Sequence, residues 1–179
     1  MSHKGGTMSI TYAQNSCFVK TPPMIEIDGK NYTYVKAGNL LIINQEIDFE
    51  MESGKEGSKH LYNGVPFYFD QDSYVTNKIN AALSNNPGWR KINSSDISVL
   101  NSSFGFGMLA TTWPGGTNAT GVNFPYCPDV NAGVLNFWYE NDQWGNYYSA
   151  YISESNGTIS TGKHSPTTWQ LVRFVKDVT

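Results

Sequence analysis

A dense block of aromatic residues at 124–169 constrains the fold of this chain more than any other feature of its sequence. Proline, glycine, asparagine and aspartate interrupt the rings, and these residue types favour tight turns. The rings of the block are Tyr126, Phe137, Trp138, Tyr139, Trp144, Tyr147, Tyr148 and Tyr151. Because aromatic side chains fit a pleated, half-buried surface, the block predicts short β-strands joined by turns.

Alternating patterns extend this prediction to the N-terminal half of the chain. Asp28-Gly29 is a tight-turn pair between two β-favouring runs, 24–27 and 32–35. An apolar set, Leu41, Ile43, Ile47, Phe49 and Met51, then alternates with a polar set, Asn44, Glu46, Asp48, Glu50 and Glu52. This period-two pattern predicts one strand with one wet face.

Further strands are predicted at 65–70, 134–140, 147–152 and 169–175, whereas the polar, glycine-rich stretch 53–60 predicts a loop. Pro66 confines the strand at 65–70 to a sheet edge or to a strand start. In 169–175 the predicted faces are Trp169, Leu171, Arg173 and Val175 on one side, and Gln170, Val172 and Phe174 on the other.

One helix is predicted, at 73–83, because Val75, Ile79, Ala82 and Leu83 recur at helical spacing. Asp72 or Ser73 can cap its start. The predicted fold class is therefore mainly β, an antiparallel β-sandwich-like domain with one short helix.

Composition divides the chain into three regions. Residues 1–7 are expected to be a mobile tail or tag, and 8–92 a β-rich region with the short helix. Residues 93–179 form the predicted aromatic β knob. The 179 residues contain no Pro/Ser linker long enough to separate two independent domains.

Charge and cysteine usage exclude several functional classes. The net charge is −3 and no basic stripe occurs, so we expect no nucleic-acid partner. No long apolar run occurs, so we expect no membrane insertion. Without a CxxC pair there is no zinc or redox signature, and we expect no cofactor. Cys17 and Cys127 could pair, but two reduced thiols are the favoured interpretation.

The order of motifs in the C-terminal part resembles a known family. The motifs are a Phe/Gly strand at 104–109, Asn123-Phe124-Pro125, Gly133-Val134-Leu135, a Tyr-rich strand at 143–151 and a Trp strand at 169–174. This order is similar to that of phage tail-fibre receptor-binding tips, in particular the knob domains of R-type pyocin fibres. The resemblance implies a non-catalytic, host-receptor-binding unit on a homotrimeric fibre, in which residues 8–92 would serve fibre attachment and 93–179 receptor binding. It also implies assembly in the host cytoplasm and contact with other virion proteins.

The residues themselves favour a sugar ligand. Pyranose rings present apolar CH faces that lie on Trp and Tyr, and their hydroxyls pair with planar amides and carboxylates. Loops supported by a rigid sheet are where such residues usually act. The predicted ligand-binding residues are Trp113, Asn118, Asn141, Asp142, Gln143, Trp144 and Tyr147. With the resemblance, they predict recognition of a bacterial surface glycan.

Three alternatives to glycan recognition by a fibre remain open from the sequence. The rings could be core or an assembly seam, which would make the chain a structural decoration or connector subunit, or the chain could be a secreted lectin. A polysaccharide depolymerase would need paired carboxylates, for which the candidates are Asp70, Asp72, Asp129, Glu140, Asp142 and Glu154. Asp129 and Asn131 have a calcium-ligand spacing but no complete binding loop, so no metal is predicted.

Overall fold

The computed structural model describes residues 23–69, 72–104, 116–119, 121–125, 127, 134–138, 148–153, 158–163 and 169–178. Its strands are β1 (Met24–Ile27), β2 (Lys30–Ala37), β3 (Leu40–Ile43), β4 (Lys59–Tyr62), β5 (Val65–Phe69), β6 (Trp89–Lys91), β7 (Val134–Trp138), β8 (Tyr148–Ser153), β9 (Ile159–Lys163), β10 (Trp169–Gln170) and β11 (Phe174–Asp177). The helices are α1 (Ser73–Asn85) and α2 (Ser94–Phe104), with one 3-10 turn at Glu56–Ser58. The predicted mainly β fold is confirmed.

The described strands form three antiparallel sheets. The largest has the strand order β1-β2-β3-β11-β6, and the two smaller ones have the orders β10-β5-β4 and β7-β8-β9. This arrangement confirms the predicted antiparallel, β-sandwich-like class. Strand β11 lies between β3 and β6, so the last strand of the predicted 93–179 region completes a sheet of the predicted 8–92 region.

Two hydrophobic cores lie on opposite faces of the five-stranded sheet. The first core contains Ala37, Ile42, Phe67, Ile92, Ile97, Leu100, Val122, Phe124, Cys127, Ala150, Ile152, Ile159, Leu171 and Val175. The second core contains Ile25, Ile27, Tyr32, Ile43, Ile47, Phe49, Tyr68, Val75, Ile79, Ala82, Val172 and Phe174. Successive strand residues point to opposite faces, so Ile42 and Ile43 enter different cores. Helix α2 covers the first core and α1 the second.

The C-terminal segment is divided between two sheets. Strand β10 belongs to one of the three-stranded sheets and β11 to the five-stranded sheet. The predicted single strand at 169–175 is wrong, since β10 pairs with β5, the chain then crosses at 171–173, and β11 pairs with β3 and β6. The predicted alternation is nevertheless seen in the cores. Leu171 and Val175 face the first core, whereas Val172 and Phe174 face the second. The segment is buried on both sides because it separates the cores.

The predicted strand at 41–52 ends early. Strand β3 stops at Ile43. Beyond it Ile47 and Phe49 are still buried, whereas Glu50 and Glu52 are exposed. The alternation of apolar and polar residues therefore predicted which side chains are buried, but the chain beyond Ile43 does not pair with a neighbouring strand. Other differences are local. Strand β4 occupies part of the predicted loop at 53–60, and β9 was not predicted.

Two strand features follow their sequence signals. Asp28 and Gly29 have φ values of 51° and 73°, and they form the predicted turn between β1 and β2. Pro66 is the second residue of β5 and faces only Leu61 of β4, whereas β10 pairs with the end of β5 at Tyr68 and Phe69. Proline therefore occupies the start of the strand, as predicted, where it has one ladder neighbour.

Helix α1 was predicted and α2 was not. Asp72 caps α1 by accepting a hydrogen bond from the Tyr74 N–H at 2.8 Å. Helix α2 begins with a capping box, in which Asn93 Oδ1 accepts from the Ser95 and Asp96 N–H groups and the Asp96 carboxylate accepts from the Asn93 N–H at 2.8 Å. Asn93 and Asp96 stand three positions apart in the sequence, so this signal was present. Among the described residues, no helix is long and apolar enough to cross a membrane.

Arg173 is fully buried where the chain crosses between sheets. Its Nε donates to the Glu46 carboxylate at 2.9 Å, and its terminal nitrogens donate to Glu46, to the Val122 carbonyl and to the Asn123 carbonyl. The guanidinium lies 4.4 Å from the ring centroid of Phe124. A buried charge is tolerated only when paired and hydrogen-bonded, and Arg173 meets both conditions.

We expect Arg173→Met to lower the free energy of unfolding by about 3–5 kcal/mol, because it removes the buried donor to the Glu46 carboxylate and to the Val122 and Asn123 carbonyls. Lys30→Met is the matched control, since Lys30 also pairs with a carboxylate, Asp48 at 2.8 Å, but is exposed. We expect this control to lose at most about 1 kcal/mol. Urea unfolding measures both values, and similar losses in the two variants would contradict the role assigned to Arg173.

Candidate functional site

Of the predicted ligand-binding residues, Asn118 lies within the described part of the chain. The other predicted positions, Trp113, Asn141, Asp142, Gln143, Trp144 and Tyr147, lie outside the described residues, as do Asp129 and Asn131. The structure therefore shows the surroundings of Asn118. For the other candidates it shows only the strands on either side of them.

Asn118 lies in a turn that packs against β2. Its φ is 48°, and its carbonyl accepts a hydrogen bond from the Gly121 N–H at 3.1 Å. A Cβ placed on Gly121 would lie 3.3 Å from Val35 Cγ1, and the φ of Gly121 is 73°, so both space and conformation favour glycine there. The Asn118 side-chain oxygen, Oδ1, is buried and has no hydrogen-bond partner in the described part of the chain.

The chain after this turn is anchored in the first core. Val122 and Phe124 are fully buried, and their backbone lies against Arg173, which donates to the Val122 and Asn123 carbonyls. The turn that carries Asn118 is thus connected to the crossing between the sheets. A buried acceptor without a donor is costly, so Asn118 Oδ1 marks a position with unused hydrogen-bonding capacity.

Five of the six other candidates lie in one connection between strands. Strands β7 and β8 pair antiparallel, with Trp138 opposite Ser149 at the last described pair. Residues 139–147 join these strands, and they include the predicted residues Asn141, Asp142, Gln143, Trp144 and Tyr147. Strand β8 also pairs with β9, and its residues Ala150 and Ile152 are buried in the first core. The connection therefore extends from a supported hairpin.

A second region, not predicted from the sequence, is built around residues 44–52, here called the acidic segment. Its backbone is held by side chains instead of a strand ladder. The N–H of Asp48 donates to Tyr32 Oη at 2.9 Å, that of Phe49 to Tyr68 Oη at 2.7 Å, that of Glu50 to Asp28 at 2.8 Å and that of Glu52 to Tyr74 Oη at 3.1 Å. Tyr68 Oη also donates to the Ile47 carbonyl at 3.0 Å. Three tyrosines and one aspartate thus satisfy four N–H groups of the segment, and the Ile47 N–H donates to the Val172 carbonyl at 3.0 Å.

Three open cavities adjoin the acidic segment. The first, of about 650 Å³, is lined by Lys30, Glu50, Met51, Glu56, Lys59, His60 and Leu61. The second, of about 320 Å³, is lined by Lys30, Asn31, Tyr32, Gln45, Glu46, Asp48, Gly64, Val65 and Pro66. The third, here called the helix cavity, has a volume of about 360 Å³ and is lined by Asp28, Phe49, Glu52, Tyr74, Asn77, Lys78, Ala81, Ala82 and Asn85.

Asp48 lines the second cavity and pairs with two lysines, Lys30 and Lys59, that line the first. Its carboxylate accepts from Lys30 at 2.8 Å and from Lys59 at 2.6 Å. Burial alone would raise the pKa of Asp48, but the two lysine hydrogen bonds outweigh it and hold the pKa below its ordinary value. Two ammonium groups are thereby committed to one carboxylate.

Of the candidate depolymerase carboxylates the structure describes Asp72, and it also describes the side chains of His60 and Cys127. Asp72 caps α1 and accepts from the Ser58 hydroxyl, and these hydrogen bonds lower its pKa. His60 lies 5.7 Å from the ring of Trp169. Cys127 is a free, buried thiol whose pKa is raised to about 11 by burial, so it is protonated at neutral pH. Within the described ranges, no cluster of three His, Cys, Asp or Glu side chains could hold a metal ion.

Comparison of the chain with protein-family models, with curated proteins and with solved structures found no match. Its function is therefore argued from the residues and the geometry of the chain itself.

Replacing Tyr68 by Phe tests how the acidic segment is held. The change removes the hydroxyl that bonds the Phe49 N–H and the Ile47 carbonyl, leaving two buried backbone groups unpaired, so we expect a loss of about 2–4 kcal/mol in unfolding free energy. Tyr34→Phe is the control, because Tyr34 packs its ring against Trp89 and no hydrogen bond of its hydroxyl is described. Equal stability of Tyr68→Phe and the native chain in urea unfolding would refute this account.

Replacing Asp48 by Asn tests the charge cluster through its pH dependence. Because the folded pKa of Asp48 lies below the ordinary 3.8, the ion pairs stabilise the protein above that pH and are lost as pH falls through the folded pKa. The carboxylate is partly exposed, so we expect Asp48→Asn to cost at most about 1 kcal/mol at neutral pH. The cost should shrink as the pH of chemical unfolding falls below the folded pKa, because the Asp48 carboxyl is then neutral in both the folded and the unfolded state. A cost independent of pH would contradict the prediction, and the exposed Glu26→Gln serves as control.

Proposed function

We propose that this protein is a receptor-binding protein of the phage tail-fibre or baseplate type that recognises a bacterial surface glycan without catalysing a reaction. In this proposal it acts as a homotrimer on the virion, with the C-terminal region facing the host. The contact surface comprises the connection 139–147 and the turn that carries Asn118, together with Trp113.

The pairing of β7 with β8 carries this proposal. It assigns five of the seven predicted contact residues to one connection between adjacent antiparallel strands, with Trp138 and Ser149 as the last described pair. Binding residues commonly occupy such connections, because the paired strands limit the conformations that the ligand must select. An indole ring with neighbouring amides and a carboxylate, as in Asn141 to Trp144, has the chemistry that a pyranose requires.

The environment of Asn118 supports the same proposal. Its Oδ1 accepts no hydrogen bond from the described residues, although the turn that holds it is fixed to β2 and to Arg173 through the residues that follow. A small adjustment of this side chain would turn the acceptor toward a ligand hydroxyl and satisfy it. The order of motifs resembles that of phage fibre tips, which supports a bacterial surface as the source of the glycan.

We expect Trp144→Ala and Trp113→Ala each to weaken binding to host cells, and to the matching sugar on a glycan array, by at least about tenfold, since stacked rings contribute on the order of 1–3 kcal/mol when desolvated. Met24→Ala is the control, because Met24 is an exposed apolar side chain on β1 outside the proposed surface. The control should bind like the native chain.

The same variants separate the proposal from its rivals. Analytical ultracentrifugation should show an unchanged trimer and circular dichroism an unchanged fold. If Trp144→Ala no longer assembled into trimers, and the fraction that still assembled bound cells normally, the chain would be a connector subunit. New reducing ends after incubation with host polysaccharide would indicate a depolymerase and would overturn the non-catalytic proposal.

A further inference from the structure

We propose that the helix cavity is a second ligand site, which takes a hydroxyl-rich, uncharged or amino sugar unit. It lies between one face of α1 and the acidic segment, and its volume of about 360 Å³ falls in the range of small-molecule sites, roughly 300–1,000 Å³. The site uses residues of the N-terminal part of the chain and does not rest on binding by the connection 139–147.

The walls of the cavity are joined to each other by described contacts. Asp28 accepts from the Glu50 N–H at 2.8 Å and pairs with Lys78 of α1 at 3.2 Å. Tyr74 of α1 accepts from the Glu52 N–H at 3.1 Å. The turn after β1, the acidic segment and α1 are therefore connected by three contacts. A cavity joined in this way is formed before a ligand arrives, which reduces the entropy lost on binding.

The helix presents a regular polar face to the cavity. Asn77, Ala81 and Asn85 follow one another at intervals of four residues, so they lie along one side of α1, and all three are exposed. No hydrogen bond of the Asn77 or Asn85 amide to another residue is described. Each amide offers two N–H donors and one carbonyl acceptor, which is the combination that vicinal hydroxyls use. The Ala81 methyl leaves space between them.

The opposite wall determines the charge of the ligand. Lys78 is committed to Asp28, whereas Glu52 has no ion pair among the described residues. The remaining charge in the cavity is therefore the Glu52 carboxylate, which accepts hydrogen bonds from hydroxyls or an ammonium group and repels anions. Buried Phe49 and Ala82 provide an apolar floor for the CH groups of a sugar ring. Sugar acids are thereby disfavoured.

Amide NMR titration of the full chain tests the site, with methyl β-glucopyranoside, glucosamine and glucuronic acid as probes. We expect saturable shifts at residues of the helix cavity with the first two probes and none with the acid. Asn77→Ala should weaken binding at least about fivefold, the loss of roughly one ligand hydrogen bond. Asn80→Ala is the matched control, since Asn80 is exposed on the same helix but does not line the cavity. It should bind like the native chain.

Ala81→Leu supplies a second variant, because leucine suits an exposed helical position and fills the cavity between the two amides. We expect it to abolish the shifts while leaving the amide spectrum dispersed. The proposal is overturned if neither sugar causes saturable shifts at about 50 mM, if Asn80→Ala weakens binding as much as Asn77→Ala, or if the acid binds best. The proposed binding by the connection 139–147 is tested separately, by the cell and glycan binding of Trp144→Ala. That variant should leave the amide shifts at the helix cavity unchanged.

Discussion

The ion pair between Arg173 and Glu46 holds the structure together at the point where its sheets meet. Arg173 is fully buried in the crossing between β10 and β11, and it binds both the acidic segment, through Glu46, and the turn region, through the Val122 and Asn123 carbonyls. A buried guanidinium must have all these partners at once, since each missing one leaves a desolvated charge or dipole. The two cores, the acidic segment and the turn that carries Asn118 are therefore positioned by one side chain.

The acidic segment shows how this anchoring creates surface for ligands. A ladder strand would use its N–H groups on a neighbour and close the space beside it. Here Tyr32, Tyr68 and Tyr74 satisfy those groups with hydroxyls at the ends of long side chains. The neighbouring elements are consequently set apart, and open cavities remain on the sides of the segment. The helix cavity and the connection 139–147 are the two separate surfaces that we propose for contact with a glycan.

Much of the fold could be predicted from the sequence, because the periodicity of apolar residues and the residue types of a turn depend on neighbouring positions. The turn at Asp28-Gly29, the helix α1 and the alternation in 169–175 depend on residues close in sequence. The predicted strand ends were less accurate, since an alternating pattern records burial whether or not a partner strand is present. Helix α2 was missed although Asn93 and Asp96 carry its capping signal. Of the predicted site, Asn118 is the residue whose surroundings the structure describes.

The sequence by itself determined a mainly β chain with aromatic strands, amide-rich turns and little charge, since composition and periodicity decide which elements form. Tertiary structure alone decided which residues meet. Arg173 and Glu46 are 127 positions apart, and Tyr68 bonds a backbone group 19 positions away. The helix cavity likewise combines Asp28, Glu52 and a face of α1. Such contacts depend on the path of the chain between their partners, because hydrogen bonds and ion pairs act over a few ångströms whatever the separation in sequence.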